Sequence, residues 1–283
     1  MNNKLKVIER KIFQISNKTI LGKAKFVAPH KFQSPLDNEA RYVHVINGHS
    51  NIIYSLGKMN LKSGDSLIMK SGNFINNWLQ TEDGSKTEIF VFQFFPDVLR
   101  EIYENKLAEP KTNHEENGTL RLVKLESNEV LNSFNKSILS YINNPEYLTE
   151  EVLKTKIKEL IMLLTSLNHS QIKPILQLFH PSEHKLQEIV QANLFENLTL
   201  EELAFLSEMS PSTFQRKFKS IYGTSPKNYI INKRLERAKI LLESESHRVS
   251  EVAFECGFED VSHFSKSFSS KFGISPRQFR DQL

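Results

Sequence analysis

The strongest constraint on this chain is an internal repeat: Phe214, Phe218, Tyr222, Gly223, Ser225 and Pro226 recur fifty residues later as Phe264, Phe268, Phe272, Gly273, Ser275 and Pro276. The match extends outward. Lys227 answers Arg277, Tyr229 answers Phe279, and Leu203-Ala204-Phe205 is echoed by Val252-Ala253-Phe254, with one extra residue in the intervening turn. Chance seldom preserves such spacing, so this region reads as two copies of one supersecondary unit.

Each copy reads as helix, tight turn, helix. Thr199 and Glu202 form an S/T-x-x-E capping box, and Leu203 and Leu206 supply the apolar face of the short helix behind it. Ser210-Pro211 then starts a second helix: the serine hydroxyl satisfies an orphan amide, and proline has no amide to leave unpaired. Ser225-Pro226 and Ser275-Pro276 repeat the signal. In the second copy Ser250 is the expected N-cap, Gly257 relaxes the turn, and a helix is expected from about Val261 to Phe272.

The outer faces separate a reading helix from a plain hairpin. At 100° per residue Phe214, Phe218 and Ile221 form the buried stripe, leaving Ser212, Gln215, Arg216 and Lys219 together on the other side. That face carries no carboxylate. A helix entering a major groove must keep acids from phosphate and offer amide, guanidinium and small polar groups to base edges; Arg216 suits guanine and Gln215 adenine. The repeat maps these positions onto Ser262, Ser265, Lys266 and Ser269, with His263 at the edge, again without an acid. The charge distribution agrees. Residues 210–240 hold eight basic groups against Glu236 alone, residues 241–260 hold six acids against Arg248, and the basic excess returns beyond, although the chain as a whole is only +4.

The C-terminal region, 182–283, resembles the DNA-binding domain of AraC/XylS-type bacterial transcription regulators. The resemblance rests on Ala204, Ser210, Phe218-Lys219, Gly223, Ser225-Pro226, Arg234-Leu235, Ala238, Leu241-Leu242, Val249, Val252-Ala253, Gly257-Phe258, Phe264, Phe268, Gly273, Ser275-Pro276 and Arg280. It implies an all-α domain in which two helix-turn-helix units flank a long central helix, Pro226 to Leu242. Ser210 to Tyr222 and Val261 to Phe272 would be recognition helices in successive major grooves. Base contacts would then fall on Ser212, Gln215 and Arg216 in the first and Ser262, His263 and Lys266 in the second, with Lys219, Ser265 and Ser269 toward phosphates. Serine at 212 and 262 departs from the bulkier side chains common there. The implied function is a sequence-specific transcription regulator, an activator, whose partners are double-stranded promoter DNA and RNA polymerase.

Ahead of this region, short apolar runs with the period of strands extend from Arg41 to Glu126, divided by Asn47-Gly48, Gly57, Ser63-Gly64-Asp65 and Ser71-Gly72-Asn73. They argue a β-sandwich or barrel over residues 1–126. The Lys-rich start, Lys4 to Lys25, reads as a solvated edge. The family resemblance makes this a cupin-like domain that senses a small molecule or a partner protein, and Leu61 to Met69 looks like a cupin turn. A metal-binding cupin needs clustered histidines and a carboxylate; His44 and His49 sit on opposite strand faces, and Phe74-Ile75 stand where a ligand would be. No metal, cofactor or catalytic residue is assigned, and no effector-binding residue can be named. Phe90, Phe92, Phe94 and Phe95 line a pocket or fill a core. After Ser127 the period becomes helical. Stripes at Val130 to Tyr141 and Val152 to Leu167 mark 127–181 as a helical connector, packed on the strands or on each other, or forming a homodimer interface.

The whole is thus an α+β multidomain chain. Its 283 residues, 39% apolar and 25% charged, suit two domains, and no run approaches the roughly 20 apolar residues of a membrane helix. The N-terminus lacks an apolar signal segment, and the single Cys256 permits no intrachain disulfide. Both point to the cytoplasm. A metal-dependent cupin enzyme fused to a DNA-binding module, and an effector-free architectural DNA-binding protein, are the alternatives from other classes.

Overall fold

Ser16 and Asn17 both take left-handed backbone, φ +50° and +60°, as a two-residue hairpin turn demands. That turn joins β1 (Val7–Ile15) to β2 (Lys18–Phe26), the first of ten strands among the described residues of the computed structural model. The structure describes residues 6–81, 84, 86–104, 122–166, 185–243 and 248–282. Among these the chain forms two compact units, one running to Ser166, the other from Lys185 onward and grouped with Ser55–Gly57. The end of the expected connector, 167–181, and the start of the expected strand at 119–125 lie outside the described residues.

The first unit continues with β3 (His30–Leu36), β4 (Ala40–Asn47), β5 (His49–Tyr54), β6 (Gly57–Lys62), β7 (Ser66–Met69), β8 (Gly72–Leu79), β9 (Thr87–Phe94) and β10 (Leu122–Leu125). They form two sheets, in the orders β1-β2-β9-β4-β7-β10 and β3-β8-β5-β6. Phe26 of β2 meets Trp78 of β8 edge to face at 5.4 Å, so the sheets share apolar contacts. The sandwich therefore begins at Val7, well before Arg41. β1 is an edge strand whose Val7, Ile8 and Ile12 remain exposed, with only Ile15 buried and Phe13 half-buried toward its end, so it shows little apolar alternation.

Strand period places Phe90, Phe92 and Phe94 on one face of β9, and all three are fully buried. They are core rather than pocket lining. Over them lie two helices, α2 (Glu129–Asn143) and α3 (Glu150–Ser166), which follow the short α1 (Pro96–Ile102). Leu131, Phe134, Ile138 and Ile142 of α2 and Leu153, Ile157, Leu160 and Leu164 of α3 belong to the same core as Tyr42 and Phe92. The stripes expected in a separate connector thus complete the first unit, because each buried Leu, Ile or Phe contributes about 1.5–3 kcal/mol. Val130 of α2 and Met162 of α3 stay exposed outside that core.

One polar cluster interrupts that core. Tyr42 donates to Asn135 Oδ1 (2.6 Å) and lies 3.0 Å from Ser66 Oγ, while Asn135 Nδ2 reaches His44 Nδ1 at 3.2 Å and Ser66 Oγ lies 2.9 Å from the same nitrogen. The cluster ties α2 to β4 and β7. Burial pushes the Tyr42 hydroxyl up to about 12, against its bonds to Ser66 and Asn135, and pushes His44 down to about 4, against the nearby Asp65 carboxylate.

The second unit is all helix: α4 (Leu186–Ala192), α5 (Leu200–Leu206), α6 (Pro211–Tyr222), α7 (Pro226–Leu242), α8 (Val249–Glu255), α9 (Val261–Phe272) and α10 (Pro276–Asp281). The fifty-residue repeat is visible as geometry. Phe214 and Phe218 have ring centroids 5.7 Å apart, as have Phe264 and Phe268; Phe218 meets Tyr229 at 5.6 Å, and Phe268 meets Phe279 at 5.7 Å. Gly223 and Gly273 end their helices with φ +70° and +81°, the left-handed cap that a side chain would strain. Two small cores result. Leu203, Ala204, Phe214 and Phe218 anchor one, and Leu235, Ala238, Val252, Cys256, Phe264 and Phe268 the other, so α7 spans both with Tyr229 and Ile230 at one end and Leu235 to Leu242 at the other.

Candidate nucleic-acid interface

The caps set where each reading helix starts. Thr199 and Glu202 exchange hydrogen bonds of 2.9 and 3.1 Å at the head of α5, and Ser210 Oγ accepts from Thr213 N at 3.3 Å at the head of α6. In the second copy α8 begins two residues earlier than expected, with Arg248 rather than Ser250 as N-cap. Its N–H donates to Glu251 Oε2 at 2.8 Å. Here a carboxylate reaching back to the cap amide replaces the serine hydroxyl.

With Phe214 and Phe218 turned inward, α6 leaves Ser212, Gln215, Arg216 and Lys219 exposed on its outer face. Ile221, placed in the buried stripe by helical period, is 43% exposed instead. Tyr222 takes its place, stacking on Phe218 at 4.5 Å and Tyr229 at 4.3 Å, because the C-terminal end of α6 is covered by α7. On α9, Ser262, His263 and Lys266 are exposed, while Ser265 and Ser269 are half-buried. Among the described residues Arg216, Lys219 and Lys266 carry no ion pair, so their charge is uncompensated, whereas Lys233 and Lys271 are both held by Glu236. Gln215 of α6 and His263 of α9 line one cavity of about 500 Å³, together with Glu259 and Asp260.

Helical period alone misses an acid at the head of α9. Asp260 is its N-cap, with Oδ1 accepting from His263 N at 2.6 Å. The carboxylate sits in a favourable place for the helix dipole, while the first reading helix is capped by a neutral serine. His263 also packs its ring against Phe258, at 5.7 Å. In the first unit, no group of three or more His, Cys, Asp or Glu that could hold a metal occurs among the described residues. His44 is buried on β4 and His49 exposed on β5, in different sheets, so the single regular strand assumed from their spacing does not exist. No described helix is long and apolar enough to cross a membrane.

Two helix-turn-helix units on one central helix, with polar and basic side chains exposed along α6 and α9 and an acid only at the Asp260 cap of α9, define a DNA-binding domain of the double helix-turn-helix class. A helix-turn-helix domain family matches residues 203–282, and the family described as the ExsA N-terminal regulatory domain matches residues 41–175, the stretch from β4 through α3 and just beyond. The second unit is an AraC-type helix-turn-helix domain, and the first matches the ExsA N-terminal regulatory family. It is 39% identical over 116 residues to the HTH-type transcriptional regulator GbdR of Pseudomonas aeruginosa, covering 40% of this chain and 31% of that one. Over 146 residues it is 29% identical to the virulence regulon transcriptional activator VirF of Yersinia enterocolitica, covering 51% and 52%. The structure of ToxT from Vibrio cholerae aligns over 96% of this chain and 99% of its own, at 15% identity and a TM-score of 0.40. The chain thus spans about a third to a half of the length of these two curated relatives.

Proposed function

We propose that this protein is a sequence-specific activator of transcription that reads double-stranded promoter DNA with α6 and α9 and works with RNA polymerase in the cytoplasm. The observation that carries the reading is the pair of helix faces on α6 and α9, free of carboxylates within either helix, with Gln215 and His263 lining one cavity. Ser212, Gln215 and Arg216, with Ser262, His263 and Lys266, contact base edges; Lys219, Ser265 and Ser269 contact phosphates. The two helices differ in what they can read. Arg216 and Gln215 offer bidentate donors and acceptors, whereas α9 offers hydroxyls, one imidazole and one ammonium, so α6 supplies most of the base discrimination.

The first unit regulates the second in response to a small molecule or a partner protein. An effector acts by binding one arrangement of the protein better than another, since equal affinity for both shifts no equilibrium. The reading involves no catalytic step and no cofactor. Selection of duplexes from a random library by the full chain, followed by footprinting, tests it. The expected result is one enriched sequence with two protected patches about one helical turn, or 10 base pairs, apart on one side of the duplex. Recovery of duplexes without a common sequence would refute it.

A further inference from the structure

The two halves of the second unit are not held together by apolar packing alone. Each docks on α7 through its own phenylalanine pair, and between them lies the cavity of about 500 Å³, bounded by Leu198, Ile230 and Phe258 among others. What crosses the gap is a polar bracket. Arg234 on α7 donates from Nε to Leu194 O (3.0 Å) and from Nη2 to Glu196 O (2.7 Å), both in the segment joining α4 to α5, and from Nη1 to Gly257 O (2.6 Å), in the turn between α8 and α9. One guanidinium therefore grips both halves by their main chains.

A second arginine repeats the connection one turn along α7. Arg237 lies over the Phe195 ring, 4.3 Å from its centroid, and pairs with Glu255 of α8 at 3.0 Å. On the rim, Asn197 Nδ2 donates to Glu259 Oε1 at 2.6 Å. The halves approach so closely that a Cβ on Gly257 would lie 2.5 Å from Phe195 O, and that glycine also has φ +84°. Residues 194–197 are thus strapped to the turn immediately ahead of α9. Backbone carbonyls as acceptors make the grip directional, and a planar fork of donors is needed to reach three of them at once.

We infer that Arg234 and Arg237 are positioning residues that fix the separation and phase of α6 relative to α9, and so determine which spacing between two half-sites the protein accepts. Neither contacts DNA. The inference rests on the DNA-reading function proposed above. Helical period and charge counts place both arginines in a basic block, but their partners are main-chain groups and an aromatic face.

The test uses the full chain and the duplex it selects, in versions with one base pair inserted or deleted between the half-sites. One base pair rotates the second half-site by about 35°, so the wild-type protein should bind the altered duplexes at least about tenfold more weakly, the equivalent of about 1.4 kcal/mol. In Arg234→Lys, whose ammonium cannot span three carbonyls, and in Arg237→Ala, half-exposed and therefore milder for folding, that spacing penalty should shrink to about threefold or less, whatever happens to affinity for the native site. A purely structural role would lower the melting temperature and leave the penalty unchanged. An undiminished penalty in Arg237→Ala and in folded Arg234→Lys overturns the inference. If Arg234→Lys does not fold, Arg237→Ala decides alone. Failure of the wild-type chain to select any two-part site would instead refute the DNA-reading function, and this inference with it.

Discussion

Lowering the pH from 7 to 5 should cost the first unit about 2 kcal/mol through one imidazole. His44 is 8% exposed, its Nδ1 within reach of Asn135 Nδ2 and Ser66 Oγ, and burial holds its pKa down at about 4. In the unfolded chain it returns to about 6.5. Between these values the unfolded state binds a proton that the native state refuses. The contribution is therefore fully present above about pH 6.5, is lost as the pH falls toward 4, and levels off below. Each pH unit inside that window costs about 1.36 kcal/mol, and pH 5 lies about 1.5 below the upper limit, hence the magnitude. The sole tryptophan, Trp78, is buried on β8 of this unit, so urea unfolding followed by its fluorescence reports on this unit. Carboxylates titrate in wild type and in His44→Gln alike, and the difference between the two isolates the imidazole. If both lose the same stability between pH 7 and 5, the buried neutral histidine is wrong.

The reading face yields direct tests. Arg216→Ala should weaken binding to the selected duplex by about 1–3 kcal/mol and relax preference at one base pair; a fluorescence-anisotropy titration against single-substitution duplexes shows whether the preference survives. Lys219→Ala should weaken binding to every sequence and reduce the slope of log K against log salt by about 1, and an unaltered slope removes the phosphate assignment. Phe134 is 2% exposed between α2 and the sheet, where it meets Phe92 at 6.1 Å. Phe134→Ala should destabilise the first unit by about 3–5 kcal/mol, measured by the same Trp78 transition; a loss under 1 kcal/mol would mean that α2 is not part of that core.

Much of the second unit is written locally. Ser210-Pro211, the Thr199–Glu202 box and Gly223 each act on groups within four residues of themselves, and their meaning does not depend on distant contacts, so both reading helices and the central helix fall where the periodicity puts them. The first unit is less legible. β9 shows its buried face in Phe90, Phe92 and Phe94, but β1 lies at a sheet edge with Val7, Ile8 and Ile12 exposed and offers little such alternation. The α2 and α3 stripes reveal amphipathic helices, yet amphipathicity is silent about what covers it. Ile221 makes the same point on a single residue: the period assigns it to the interior, and the packing of Tyr222 on Tyr229 leaves it outside.

The amino-acid sequence by itself therefore determined the double helix-turn-helix, the acid-free outer faces and the strand class of the first unit, because caps, turns and periodicities are short-range properties of the chain. Only the tertiary structure decided that α2 and α3 close the core over β9, that Tyr42, His44, Ser66 and Asn135 meet inside it, and that Arg234 grips Leu194, Glu196 and Gly257. Each of these joins residues that are 22 or more positions apart, and the last runs through main-chain carbonyls that every residue carries. No pattern of side chains along the chain can announce such a bond.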